Sequence, residues 1–207
     1  MIHPIHFKTL AAAACLTFAT MTSSWAVPVT LNVDQSGQLF GASNVNVDGN
    51  IFNVEFLEGS CVSLFTGCDN PSDFDFGDQI GAVAAAQALL DSVIINGPLG
   101  NFDNDPSLTR GLNVFDVGSI RIPYQRNLGF NFLLASANNR EPSFGADDVT
   151  LGSGDPRTNL TAFSRFTYAK FTQISVSAVP LPAALPLMGA GFAALGFMGW
   201  RRKRKAA

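Results

Sequence analysis

Two thiols, Cys61 and Cys68, stand seven positions apart in a stretch of Ser, Gly, Phe and Asp. In an exported chain such a pair most simply closes a disulfide. A metal site would need further soft ligands, and redox dithiols favour the tighter Cys-x-x-Cys. Just downstream, Asp69, Asp73, Asp75 and Asp78 offer the hard oxygens that calcium prefers. Their spacing lacks the EF-hand order and its closing Glu. No metal and no cofactor are assigned, and Asp78 has a simpler use as a helix cap.

Missing residue types are as informative as those present. Residues 27–178 contain no His, and their single Lys is Lys170, with no Ser three positions before it. Ser-His-Asp and Cys-His mechanisms, His-liganded zinc and the Ser-x-x-Lys nucleophile are thereby removed. Gly97-Pro98-Leu99-Gly100 lacks the Lys and the spacing of a phosphate loop. A carboxylate pair for glycoside hydrolysis stays available in principle. Asp in Asn- and Gly-rich loops, however, is ordinarily turn chemistry, so no catalytic residue is assigned and no enzyme is expected. Sixteen acids face only seven bases in this stretch, about −9 in formal charge. A domain so acidic repels nucleic acid. A carbohydrate-active enzyme or carbohydrate-binding module is the alternative reading. It suffers from the lack of Trp, with only Tyr124 and Tyr168 besides the Phe residues.

The elements expected to position these residues are mostly strands. Val29, Leu31 and Val33 alternate with polar neighbours. Val45 and Val47 lead into Asp48-Gly49, and Phe52, Val54 and Phe56 lead out, a strong hairpin pattern. Ile120, Ile122 and Tyr124 form another face, followed by Leu128, Phe130, Phe132 and Leu134. A last strand is expected from about Leu160 to Val176, with a bulge where its phase slips. Gln79–Ile95 is Ala-rich, with Ile80, Val83, Ala86, Leu90 and Ile94 near helical spacing, Asp78 before it and Asn96-Gly97-Pro98 after it. Residues 97–111 and 137–159 read as loops. The predicted class is α+β: mostly antiparallel β with one Ala-rich helix, over residues 27–178.

Both ends carry trafficking patterns. Residues 1–26 join Lys8, an apolar run from Leu10 and a closing Ser24-Trp25-Ala26, as a secretory signal peptide does. Signal peptidase cleavage is expected between Ala26 and Val27. At the other end, Val179-Pro180-Leu181-Pro182 precedes an apolar run from Ala183 to Trp200 and the cluster Arg201, Arg202, Lys203, Arg204, Lys205. Eighteen residues at about 1.5 Å each would span a thin bilayer as a transmembrane helix. The basic cluster orients the tail toward the cytoplasm.

This three-part tail, residues 179–205, resembles the PEP-CTERM sorting signal, with Leu181 where the family usually has Glu. The resemblance implies processing by exosortase, a membrane-embedded cysteine transpeptidase of Gram-negative bacteria. It implies an inner-membrane-anchored precursor that is then transferred to the cell surface or the extracellular matrix. Partners would be signal peptidase and exosortase during export, and extracellular polysaccharide afterwards. The expected function is thus that of a secreted surface or matrix protein.

Overall fold

Asp48 and Gly49, with φ of 48° and 85°, both occupy the left-handed region. A two-residue hairpin turn of this hand needs that conformation at both positions. It joins strands β2 (Leu39–Val47) and β3 (Asn50–Leu57), and Gly49 N–H donates to Asn46 Oδ1 at 2.8 Å. The computed structural model describes residues 27–127, 129 and 131–175.

Five further strands complete one sheet: β1 (Thr30–Val33), β6 (Val117–Arg126), β7 (Phe132–Arg140), β8 (Asp148–Gly154) and β9 (Phe166–Ile174). Strands β4 (Asn96–Gly97) and β5 (Gly100–Asn101) form a separate small hairpin. The order across the large sheet is β1-β2-β3-β9-β6-β7-β8. β9 is antiparallel to β3 but parallel to β6, with Ser119↔Phe166 and Arg121↔Tyr168 among the pairs.

Period-two alternation divides the side chains between two layers. On one face, Ile120, Ile122, Ala135, Ala137, Ala169 and Phe171 join a core with helix α2 (Gln79–Ser92). Asp78 Oδ1 accepts from Gly81 N–H at 2.8 Å and caps that helix. On the other face, Phe132, Leu134 and Tyr168 pack with Phe65, Phe74, Leu160 and the two cysteines. Helix α1 (Cys61–Leu64) and the crossing from β8 back to β9 cover this second cluster, with Leu160 N–H donating to the Gly59 carbonyl at 2.8 Å.

The expected α+β class with one helix on an antiparallel sheet is corrected. The fold is mostly β, with two α-helices among the described residues, and its large sheet is mixed. A single helical turn such as α1 leaves no periodicity to read. The parallel pair is set by where a long connection returns, which no local pattern encodes. The buried stripe is shifted from the one expected: Ala86 and Ile94 are buried as expected, Val83 and Leu90 are only partly buried, Ala82, Ala85 and Leu89 join the core, and Ile80 is 77% exposed.

Both segments read as loops contain strand, and the first, 97–111, holds β5 of the small hairpin. Residues 137–140 extend β7, and β8 lies within 137–159. β8 is an edge strand of exposed Gly, Ser and Thr, so no buried face marks it. The last strand starts at Phe166, not Leu160, and its register with β3 is continuous. Its apparent phase slip reflects burial on both faces. The extra residues that shift register lie instead in β2, against both β1 and β3, and in β6 against β7. Among the described residues no helix is long and apolar enough to cross a membrane, and the transmembrane helix expected over 183–200 lies outside them.

Candidate functional site

Cys61 and Cys68 are joined at disulfide distance, with their Cα atoms 5.8 Å apart. Both are buried beside Phe65 and Phe74. Here the sequence expectation and the structure coincide, and the bond staples helix α1 to the loop that follows it.

The four carboxylates downstream are spread over separate backbone tasks. Asp73 Oδ2 accepts from the N–H groups of Asp69 and Asn70, at 3.0 and 2.9 Å, which holds its carboxyl below the usual range. Asp69 Oδ1 accepts from Asn70 Nδ2, and Asp78 caps α2. Asp75 reaches the other way, to Phe171 N–H at 2.7 Å, and burial pushes its carboxyl up. Among the described residues no group of three or more His, Cys, Asp or Glu side chains is arranged to hold a metal. Val27 is exposed at the start of the described residues. Ala26, the sorting motif Val179–Pro182 and the basic cluster Arg201–Lys205 lie outside them.

Asp147 is the other carboxyl held above its ordinary range. Burial is the main cause, and the nearby charges of Asp103 and Asp148 add to it. Arg140 N–H donates to its Oδ1 at 2.7 Å and opposes the shift.

Two concave surfaces stand out. One, of about 640 Å³, lies beside Glu58, Arg110 and Ser164. The other, of about 340 Å³, is a groove on the second sheet face, next to the cluster that holds the disulfide. Neither is lined by Asp103 or Asp147. Four strands floor the groove. β6 contributes Ser119 and Arg121, β7 contributes Ser136 and Asn138, β8 contributes Thr150, and β9 contributes Phe166.

Alternation explains why these residues share a face. Ser119 and Arg121 flank the core residue Ile120, and Ser136 and Asn138 flank the core residue Ala137. Cross-strand pairing brings Arg121 opposite Ser136, and Ser136 opposite Thr150.

The electrostatics of the groove are unlike those of the domain. Among the described residues no acid lines it, although acids outnumber bases sixteen to seven over residues 27–178. Arg165, at the rim, is held at 2.5 Å by Asp116. Arg121 has no carboxylate within ion-pair distance among the described residues. Its guanidinium carbon instead lies 3.6 Å from the centre of the Phe166 ring, a cation–π contact. Half-burial lowers the Arg121 pKa, opposed by Tyr168. The Tyr168 hydroxyl is in turn pushed up to about 12 by burial, with Arg121 pulling it back. Asn138 Nδ2 is anchored to Asp148 Oδ1 and Thr150 Oγ1, at 3.1 and 3.0 Å.

Sequence reasoning did not single out this groove, because its members come from four strands distant along the chain. The available signal was a polar side chain at every second position of strands whose other face is apolar.

Comparison with protein-family models, curated proteins and solved structures finds no match to this chain.

Proposed function

We propose that this chain is a secreted surface or extracellular-matrix protein of a Gram-negative bacterium, sorted through its C-terminal signal. The observation that carries the reading is the order of the tail: Val179-Pro180-Leu181-Pro182, then an apolar run, then Arg201–Lys205. The precursor is exported by its N-terminal signal, retained at the inner membrane through the tail, and processed by exosortase. The disulfide agrees with this route, since such bonds persist in oxidising compartments. A surface or matrix role, as against an enzyme, is also supported by residues 27–178, which hold no His and a single Lys, Lys170, with no Ser three positions before it.

Intact mass of the extracellular protein, with and without reduction, tests the proposal. The mature form is expected to begin at Val27 and to lack Trp200. Recovery of extracellular protein with the Met188–Trp200 peptide still attached, from cells with a working sorting enzyme, would overturn the processing step.

A further inference from the structure

We infer that the groove between β6, β7, β8 and β9 binds a carboxylated sugar unit of a glycan, with the Arg121 guanidinium engaging the carboxylate. The inference rests on the folded domain and stands apart from how the chain is sorted.

Charge is the first argument. Acids dominate the domain, yet only Arg121 and Arg165 bring charge to the groove lining. Arg165 is already neutralised by Asp116. What remains is one uncompensated positive charge, held half-buried among strands. An ion taken partly out of water is costly unless a counter-charge meets it. No described carboxylate does so, which leaves the place for an incoming anion. A single net charge matches a carboxylate better than a phosphate dianion.

Orientation is the second argument. Phe166 covers one side of the guanidinium plane and fixes it. The N–H donors lie in that plane and stay clear of the ring; one is engaged by the Tyr168 hydroxyl, and the others remain for a carboxylate.

The rest of the floor is polar. Ser119 and Ser136 bring hydroxyls to the floor, Thr150 keeps its O–H, and Asn138 keeps its amide oxygen while its two N–H donors are spent on Asp148 and Thr150; hydroxyls and amide oxygens exchange hydrogen bonds with sugar hydroxyls. Across the four strands the floor is about 14 Å wide, from three inter-strand steps of roughly 4.8 Å. The Phe166 ring is occupied by Arg121, so recognition of a neutral sugar by stacking is not provided for.

Calorimetric titration of the purified extracellular protein tests this, with trigalacturonate, neutral maltotriose and inorganic phosphate as probes. Saturable binding of trigalacturonate is expected, with a dissociation constant on the order of 1 mM. Arg121→Gln is expected to weaken it about tenfold or more, as loss of a charge-assisted hydrogen bond does. Ser136→Leu, which fills the floor opposite Arg121, should do the same, so it decides the matter where Arg121→Gln does not fold. Maltotriose binding as well as trigalacturonate would overturn the inference. So would phosphate binding more tightly than trigalacturonate, failure of trigalacturonate to bind, or its undiminished binding to a folded variant.

Discussion

The carboxylate of Asp75 accepts a 2.7 Å hydrogen bond from the backbone N–H of Phe171. This bond ties the segment after the disulfide to the central strand β9. The ladder between β6 and β9 ends at Arg121↔Tyr168, so farther along β9 has no strand neighbour on that side. Asp75 supplies the acceptor that a strand would have supplied. Nearby, Lys170 Nζ donates to the Leu64 carbonyl at 2.8 Å and ties helix α1 to the same strand.

Asp75 is therefore expected to leave a signature in the pH dependence of stability. Burial raises its pKa above the ordinary 3.8, so the folded chain holds this proton more tightly than the unfolded chain does. Stability from this group is greatest below 3.8 and falls as pH rises through the raised value. Asp75→Asn keeps an acceptor and should remove that fall. Asp75→Ala leaves the Phe171 N–H unpartnered and should cost about 1–3 kcal/mol. Urea midpoints of both variants and the parent, compared from about pH 3.5 to 7, measure each effect against the other carboxylates.

Reduction of Cys61–Cys68, or Cys61→Ser, should lower stability by about 2.5 kcal/mol on the chain-entropy model for so short a loop. The bond closes a segment with a sequence separation of 7 and sits in the cluster that includes Phe65 and Tyr168. Free thiols titrated from the denatured extracellular protein would contradict the pairing. Unchanged urea midpoints on reduction would contradict the energetic role.

Gly41 marks a close approach of two backbones. A Cβ there would lie 2.1 Å from the Val54 carbonyl oxygen, which rigid β3 cannot withdraw. Gly41→Ala should destabilise by more than about 1 kcal/mol. Gly77→Ala, with nothing within 4 Å of its Cβ and no positive φ, is the neutral control. Thermal melting of the two variants compares them directly.

Asp147 has the elevated carboxyl that a general acid requires, beside two further acids. It lines neither concave surface described above, and Arg140 N–H engages its Oδ1. No release of reducing ends from matrix polysaccharide is therefore expected of the parent protein. Release that disappears in Asp147→Asn would establish a glycosidase instead.

The sequence by itself determined several local features of this protein. Asp48-Gly49 specified a hairpin because few dipeptides tolerate two positive φ values. Asp78 before an Ala-rich run specified a helix start, since an N-cap needs only its own carboxylate and the next turn. Cys61 and Cys68 were legible as a pair because they are the two thiols of residues 27–178 in a chain that reads as exported, with no further soft ligands beside them. The hairpin and the helix start are each settled within about ten residues of chain, the range over which backbone sterics and short loops act.

Tertiary structure alone decided the rest. It placed β9 between β3 and β6, parallel to one and antiparallel to the other, through a connection that crosses the sheet. It chose Ala82, Ala85, Ala86 and Leu89 over Ile80 for the buried stripe of α2, because small residues let a helix approach a sheet closely. It drew Arg121 over Phe166, 45 positions along the chain, and left that guanidinium without a carboxylate. Alternation can say that Arg121 and Ser136 each face away from an apolar layer. Only strand order and register say that they face the same groove, because those depend on packing between segments distant in sequence.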